Sequence, residues 1–96
     1  MSIYKENANL LKAISHSIRI KIVIELNKRG PCTVNQIVEF LEKPQSTTSQ
    51  HLAIMKSQKI LASNRKRNQV YYSVQNKKIN TLIEVLVGQN IDKFSK

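Results

Sequence analysis

The sequence predicts a mainly α-helical chain with one small β-hairpin, ordered as four helices, two strands and a fifth helix. Three observations lead there. Apolar residues recur at helical spacing in residues 4–14, 33–41 and 77–94. A capping signal, a proline break and a second short helix fall within residues 33–57 and outline a helix-turn-helix. Val70, Tyr72 and Val74 alternate with polar or outward positions, as a strand does.

Length and charge narrow the class further. The 96 residues fit one domain, against a usual range of roughly 100–200. Sixteen Lys and Arg against six Asp and Glu give a net charge of +10. Apolar residues make up 41% of the chain, too many for a disordered basic tail. No apolar run approaches the roughly 20 residues that span a bilayer, and the polar start Met1–Glu6 predicts no secretory signal. A single cysteine, Cys32, suits a reducing cytoplasm. The charge is uneven. From Lys43 to Ile83 no acidic residue occurs, while Lys43, Lys56, Lys59, Arg65, Lys66, Arg67, Lys77 and Lys78 do. Such a one-sign stretch attracts a polyanion. On charge alone, nucleic acid leads over a merely solubilising lysine face and over an anionic membrane or an acidic partner protein.

Taken in order, residues 4–14 predict the first helix, with Leu10, Leu11 and Ile14 at helical spacing. Ile18, Ile20, Ile22 and Ile24 alternate like a strand, but Val23 and Leu26 break the alternation, so a central, largely buried helix is expected, ended by Gly30-Pro31. Thr33 and Gln36 form a capping box, and Val34, Ile37, Val38 and Leu41 follow as one apolar stripe up to Lys43-Pro44. The next helix begins near Ser46 and runs to about Ser57. Its Thr48, Leu52 and Met55 face inward, while Ser46, Gln50, Ala53 and Ser57 face outward, with Thr47 and Ser49 on the flanks. An outward face of hydroxyls and one amide, free of carboxylate, can exchange hydrogen bonds with phosphates and base edges. Residues 60–63 and 70–74 predict two strands joined by the tip Asn64-Arg65-Lys66-Arg67-Asn68-Gln69, whose cations suit phosphate contact or minor-groove entry. The last helix, about residues 76–94, carries Ile79, Leu82, Ile83, Leu86, Val87, Asn90, Ile91 and Phe94 on its stripe. That stripe either completes the local core or pairs with its copy across a twofold axis, and pairing is favoured because C₂ dimers are the commonest closed assembly.

Read together, Leu10-Leu11-Lys12-Ala13-Ile14-Ser15-His16-Ser17-Ile18-Arg19, then Gln45-Ser46-Thr47-Thr48-Ser49-Gln50-His51-Leu52, then Val70-Tyr71-Tyr72-Ser73-Val74 resemble the ArsR/SmtB family of winged helix-turn-helix transcriptional repressors. The resemblance covers about residues 8–90. It implies one winged-helix domain over residues 1–96, with the helix-turn-helix at 33–57, the wing at 60–74 and dimerisation helices at 4–14 and 77–94. It implies a homodimer joined through Leu10, Leu11, Leu82, Ile83, Leu86, Val87 and Ile91. The matching DNA-binding positions are Gln45, Ser46, Thr47, Ser49 and Gln50, with Lys56 and the wing cations Arg65, Lys66 and Arg67 on the backbone.

The implied partners are double-stranded DNA at an imperfect palindromic operator and a second copy of the chain, in the cytoplasm and at the nucleoid when DNA-bound. The competing reading is a winged helix that binds an acidic protein. No catalytic arrangement is apparent, so an enzyme is not expected. Many family members sense metals through a Cys-x-Cys pair, where this chain has Thr33 and Asn35. Others use the last helix, but residues 77–96 contain no histidine. Neither a metal nor any other cofactor is expected, and the likeness is to metal-independent members. The resemblance leaves His16 to cap or hydrogen-bond at the junction of the first two helices. His51 is left to pack beside the turn or meet a phosphate. Cys32 is read as a packing residue rather than a thiol switch.

Overall fold

The computed structural model describes the backbone of residues 2–94 and side chains through residue 87. Five helices and three short strands follow one another as α1 (Ile3–Ile14), α2 (Ser17–Arg29), β1 (Cys32–Thr33), α3 (Val34–Leu41), α4 (Gln45–Ser57), β2 (Leu61–Lys66), β3 (Gln69–Val74) and α5 (Lys77–Phe94).

Local chemistry sets most of these boundaries. The Ser2 hydroxyl accepts the Tyr4 N–H at 3.1 Å and starts α1, with Glu6 in the first turn and Lys12 in the last, both favourable to the helix dipole. Helix α2 ends at Gly30, whose φ of +84° suits glycine and whose N–H reaches the Leu26 carbonyl at 2.8 Å. The capping box of α3 forms in full: the Thr33 hydroxyl accepts from Gln36 N–H at 3.3 Å, and Gln36 Oε1 accepts from Thr33 N–H at 2.8 Å. Glu42 then turns left-handed, at φ 56°, and Pro44 leads directly into α4. At the start of α5, Asn76 Oδ1 accepts the Ile79 N–H at 3.0 Å.

The sheet is larger than the expected hairpin. Its order is β1-β3-β2, all antiparallel, because Cys32 and Thr33 pair with Tyr72 and Tyr71. The hairpin also runs further out than expected. Arg65 and Lys66 belong to β2, and Arg65 and Lys66 pair with Val70 and Gln69. Only Arg67 and Asn68 make the turn, at φ 51° and 70°. Two successive left-handed residues define a tight turn whose twist matches the strands it joins.

The core lies where α2, α3, α4, α5 and the sheet meet. Ile22, Val23, Ile37, Met55 and Ile60 have no exposure, and Leu26, Leu52, Leu61, Ile79 and Ile83 are nearly as buried. Each such side chain contributes about 1.5–3 kcal/mol when fully buried. Thr48, Leu52 and Met55 are the inward residues of α4, so its other faces remain outside.

Candidate nucleic-acid interface

Helix α4 is held in place by its apolar face and by one buried cation. Arg19 on α2 is 7% exposed. Its Nη1 donates to the Ala13 carbonyl at 2.8 Å, and its Nε donates to His51 Nδ1 on α4 at 3.0 Å. One guanidinium therefore ties the end of α1 to the middle of α4. Burial lowers the Arg19 pKa from its ordinary value. His51 is also held below the ordinary histidine value, first by burial, then by Arg19, then by the ring of His16. The two imidazoles stand edge-on with centroids 6.1 Å apart. His51 thus faces the α1–α2 junction, its Nδ1 a neutral acceptor for Arg19. His16 occupies the N-cap position of α2 but makes no capping hydrogen bond there. Nothing local in the sequence singles out Arg19, because its partners lie 6 residues back and 32 ahead.

With α4 seated this way, Gln45, Ser46, Ser49, Gln50 and Lys56 are exposed and Thr47 is half-buried. Arg65, Lys66 and Arg67 are exposed along the outer end of the hairpin. The nine residues fall in two groups, one on α4 and one on the wing, within the stretch that lacks acidic residues. An open groove of about 740 Å³ lies against the wing, lined by Asn64, Lys66, Arg67, Gln69, Tyr71 and Ser73, with Pro31 also at its edge. Asn64, Gln69, Tyr71 and Ser73 add polar groups to the wing that charge alone did not reveal, although their period-two spacing places them on one face.

The residues expected at a dimer interface divide. Leu11 and Leu86 are exposed, Leu10, Leu82 and Val87 half-buried, and the Ile91 side chain lies outside those described. Ile83 does not belong with them: at 2% exposure it turns into its own chain's core. A helix stripe two or three residues wide has an inner and an outer edge, and Ile83 falls on the inner one. Ile3, Tyr4 and Val85 extend the exposed apolar surface instead. Helix α5 is also pinned to α2, where Asn27 Nδ2 donates to Asn80 Oδ1 at 2.8 Å.

Thr33 spends its hydroxyl on the α3 cap and Asn35 is exposed. Among the described residues, no group of three or more His, Cys, Asp or Glu stands together as metal ligands. Cys32 is buried, its thiol donates to the Gly30 carbonyl at 3.4 Å, and burial pushes its pKa up, against a weaker opposing pull from Arg29. A protonated, enclosed thiol packs and reacts poorly.

Comparison with known proteins places this geometry. The family model described as bacterial regulatory protein, arsR family, matches residues 16–63, half of the chain. The transcriptional repressor PagR of Bacillus anthracis is 44% identical over 82 residues, covering 85% of this chain and 82% of PagR. The crystal structure of PagR superposes with a TM-score of 0.80 over 86% of this chain and 94% of that one, at 42% identity. The HTH-type transcriptional regulator YgaV of Escherichia coli (strain K12) is 32% identical over 82 residues, or 85% of this chain and 83% of YgaV. A homodimeric winged helix-turn-helix DNA-binding domain, Mb0332 of Mycobacterium bovis, shares the fold at a TM-score of 0.78 and 22% identity, covering 98% of this chain and 85% of that fragment.

Proposed function

The chain belongs to the ArsR family of bacterial regulatory proteins, and from that premise we propose that it is a homodimeric, sequence-specific DNA-binding transcriptional repressor that works without a metal. In this reading α4 enters the major groove and the β2–β3 wing meets the backbone or minor groove. The operator is an imperfect palindrome with half-sites about one helical turn apart. The repressor role follows PagR, whose likeness spans most of both chains.

One observation carries the reading: α4 presents exposed hydroxyls and amides, with no carboxylate, beside an exposed triplet of wing cations. A carboxylate on either surface would repel phosphate. Gln45, Ser46, Thr47, Ser49 and Gln50 read or orient the bases, and Lys56, Arg65, Lys66 and Arg67 neutralise phosphates. Metal independence is supported by Thr33, whose oxygen closes a helix cap where a thiolate would be needed.

Titration of the protein onto duplex DNA at several salt concentrations tests this. If the dimer neutralises roughly six to ten phosphates, log affinity falls with log salt at a slope of about −5 to −9. A flat response overturns the proposal. In the same assay Gln50→Ala relaxes sequence preference, whereas Arg65→Ala weakens all duplexes alike and makes the slope shallower by about 1 per subunit.

A further inference from the structure

The chemistry of the α4 surface extends beyond DNA binding to the kind of base pair it fits, an inference that rests on the regulator reading above. At 100° per residue, Ser46, Gln50, Ala53 and Ser57 lie along the outward line of α4. Thr47 and Ile54 share one flank, and Gln45, Ser49 and Lys56 share the other. Ile54 is 41% exposed. The other large hydrophobic side chains exposed among the described residues, Ile3, Tyr4, Leu11, Val85 and Leu86, all lie on α1 or α5. Ile54 therefore stands apart from the apolar surface offered to a second subunit, within an otherwise polar face.

Base edges in the major groove call for distinct partners. Guanine is read by the bidentate donors of arginine or lysine, adenine by the paired donor and acceptor of a glutamine or asparagine amide, and thymine by apolar contact with its methyl group. The outward line and the Thr47 flank contain no arginine or lysine, and Lys56 sits on the opposite flank in the last turn. They do contain one amide, Gln50, and three methyl-bearing side chains around it: Thr47, Ala53 and Ile54. Serine hydroxyls serve any base and do not alter the balance.

We propose that α4 reads adenine–thymine pairs, with Gln50 on an adenine edge and Ile54, beside Thr47 and Ala53, covering a thymine methyl. The wing supports this independently. Arg67 lies at the two-residue tip and Arg65 on the strand behind it, both exposed. Guanidinium groups are drawn to the narrow, strongly negative minor groove of A·T tracts.

Selection of bound sites from random duplexes, followed by base analogues in the selected site, tests the proposal. The selected half-sites are expected to place A·T pairs in the α4-contacted steps. Replacing the contacted thymine by deoxyuridine removes only the methyl and weakens wild type about fourfold. Ile54→Ala loses a similar factor on the thymine duplex and nothing more on the uracil duplex, while Ile54→Val keeps most of the methyl sensitivity. Replacing the contacted adenine by 7-deazaadenine weakens wild type but not Gln50→Ala. Guanine–cytosine pairs in those selected steps, or equal uracil penalties in wild type and Ile54→Ala, overturn the proposal. Loss of salt-dependent binding to every duplex overturns the regulator reading instead. Ile54 is exposed, so an unchanged Tm shows that its truncation leaves the fold intact.

Discussion

The hydroxyl of Thr48 is, among the described residues, a buried side-chain oxygen with no hydrogen-bond partner. It sits on the inner face of α4 between Leu52 and Met55, with no exposure. A stranded hydroxyl keeps its desolvation cost without the bond that would offset it. Valine has the same shape and nearly the same helix propensity. Thr48→Val is therefore expected to gain about 1 kcal/mol, which in a domain of this size raises Tm by about 4–8 °C. Calorimetry checks it, and an unchanged or lower Tm contradicts it. DNA affinity should not move, because the side chain points away from the reading face. The inward position of Thr48 was legible from spacing alone, since it falls one turn before Leu52. Its missing partner was not legible, because a partner belongs to three-dimensional surroundings. Arg19 is the converse case. Its positive charge reads as a surface feature in sequence, yet carbonyl and imidazole acceptors from distant elements let it be buried.

Elements inherit those distant partnerships. Helix α4 is joined to the α1–α2 junction by the Arg19–His51 bond, which requires an unprotonated Nδ1 on His51. Protonation would remove that acceptor and set an imidazolium against a buried guanidinium. Burial opposes the proton most, followed by Arg19 on α2 and His16 at its N-cap. Because the folded pKa is lowered, the unfolded chain binds the proton more readily. The stabilisation is fully present above the ordinary histidine value of 6.5 and is lost as pH falls through that value toward the lowered folded pKa. Urea midpoints measured from pH 7.5 down to 5.0 should decline on the acid side in wild type. His51→Gln offers an amide oxygen to Arg19 without titrating, so its decline should be shallower, and equal slopes would contradict the assignment. At this scale the sequence was informative where signals are local. The Thr33–Gln36 box, the Gly30 stop and the helical nature of α2 all depend on neighbours within one turn. Strand β1 was missed because two residues have no periodicity, and their partners Tyr71 and Tyr72 lie almost forty positions away. The wing's span of 60–74 holds, but its first strand reaches past residue 63, where Asn64, Arg65 and Lys66 look like loop residues in sequence. They extend as a strand because β3 pairs with them up to the Arg67–Asn68 turn.

For the whole molecule, the question is what covers the apolar residues that the chain leaves outside. Ile3, Tyr4 and Leu11 on α1 and Val85 and Leu86 on α5 are more than half exposed. Apolar side chains left exposed on two helices suit an association surface. The sequence indicated the stripe on α5 but could not divide it: Ile79 and Ile83 belong to the chain's own core, whereas Leu86 does not. The division decides where to cut. Ile83 cannot be made polar without unfolding the subunit, but Leu86 can, so Leu86→Glu separates assembly from folding. In the proposed homodimer this variant should sediment as a folded monomer, while wild type sediments as a dimer whose Tm rises with protein concentration. Each DNA half-site contact persists, but the second no longer follows the first as an intramolecular event. Affinity for a full palindrome should fall by about 10² or more, while affinity for an isolated half-site changes little. A Leu86→Glu protein that remains dimeric, or that binds the palindrome as tightly as wild type, would place the subunit contact elsewhere on the chain.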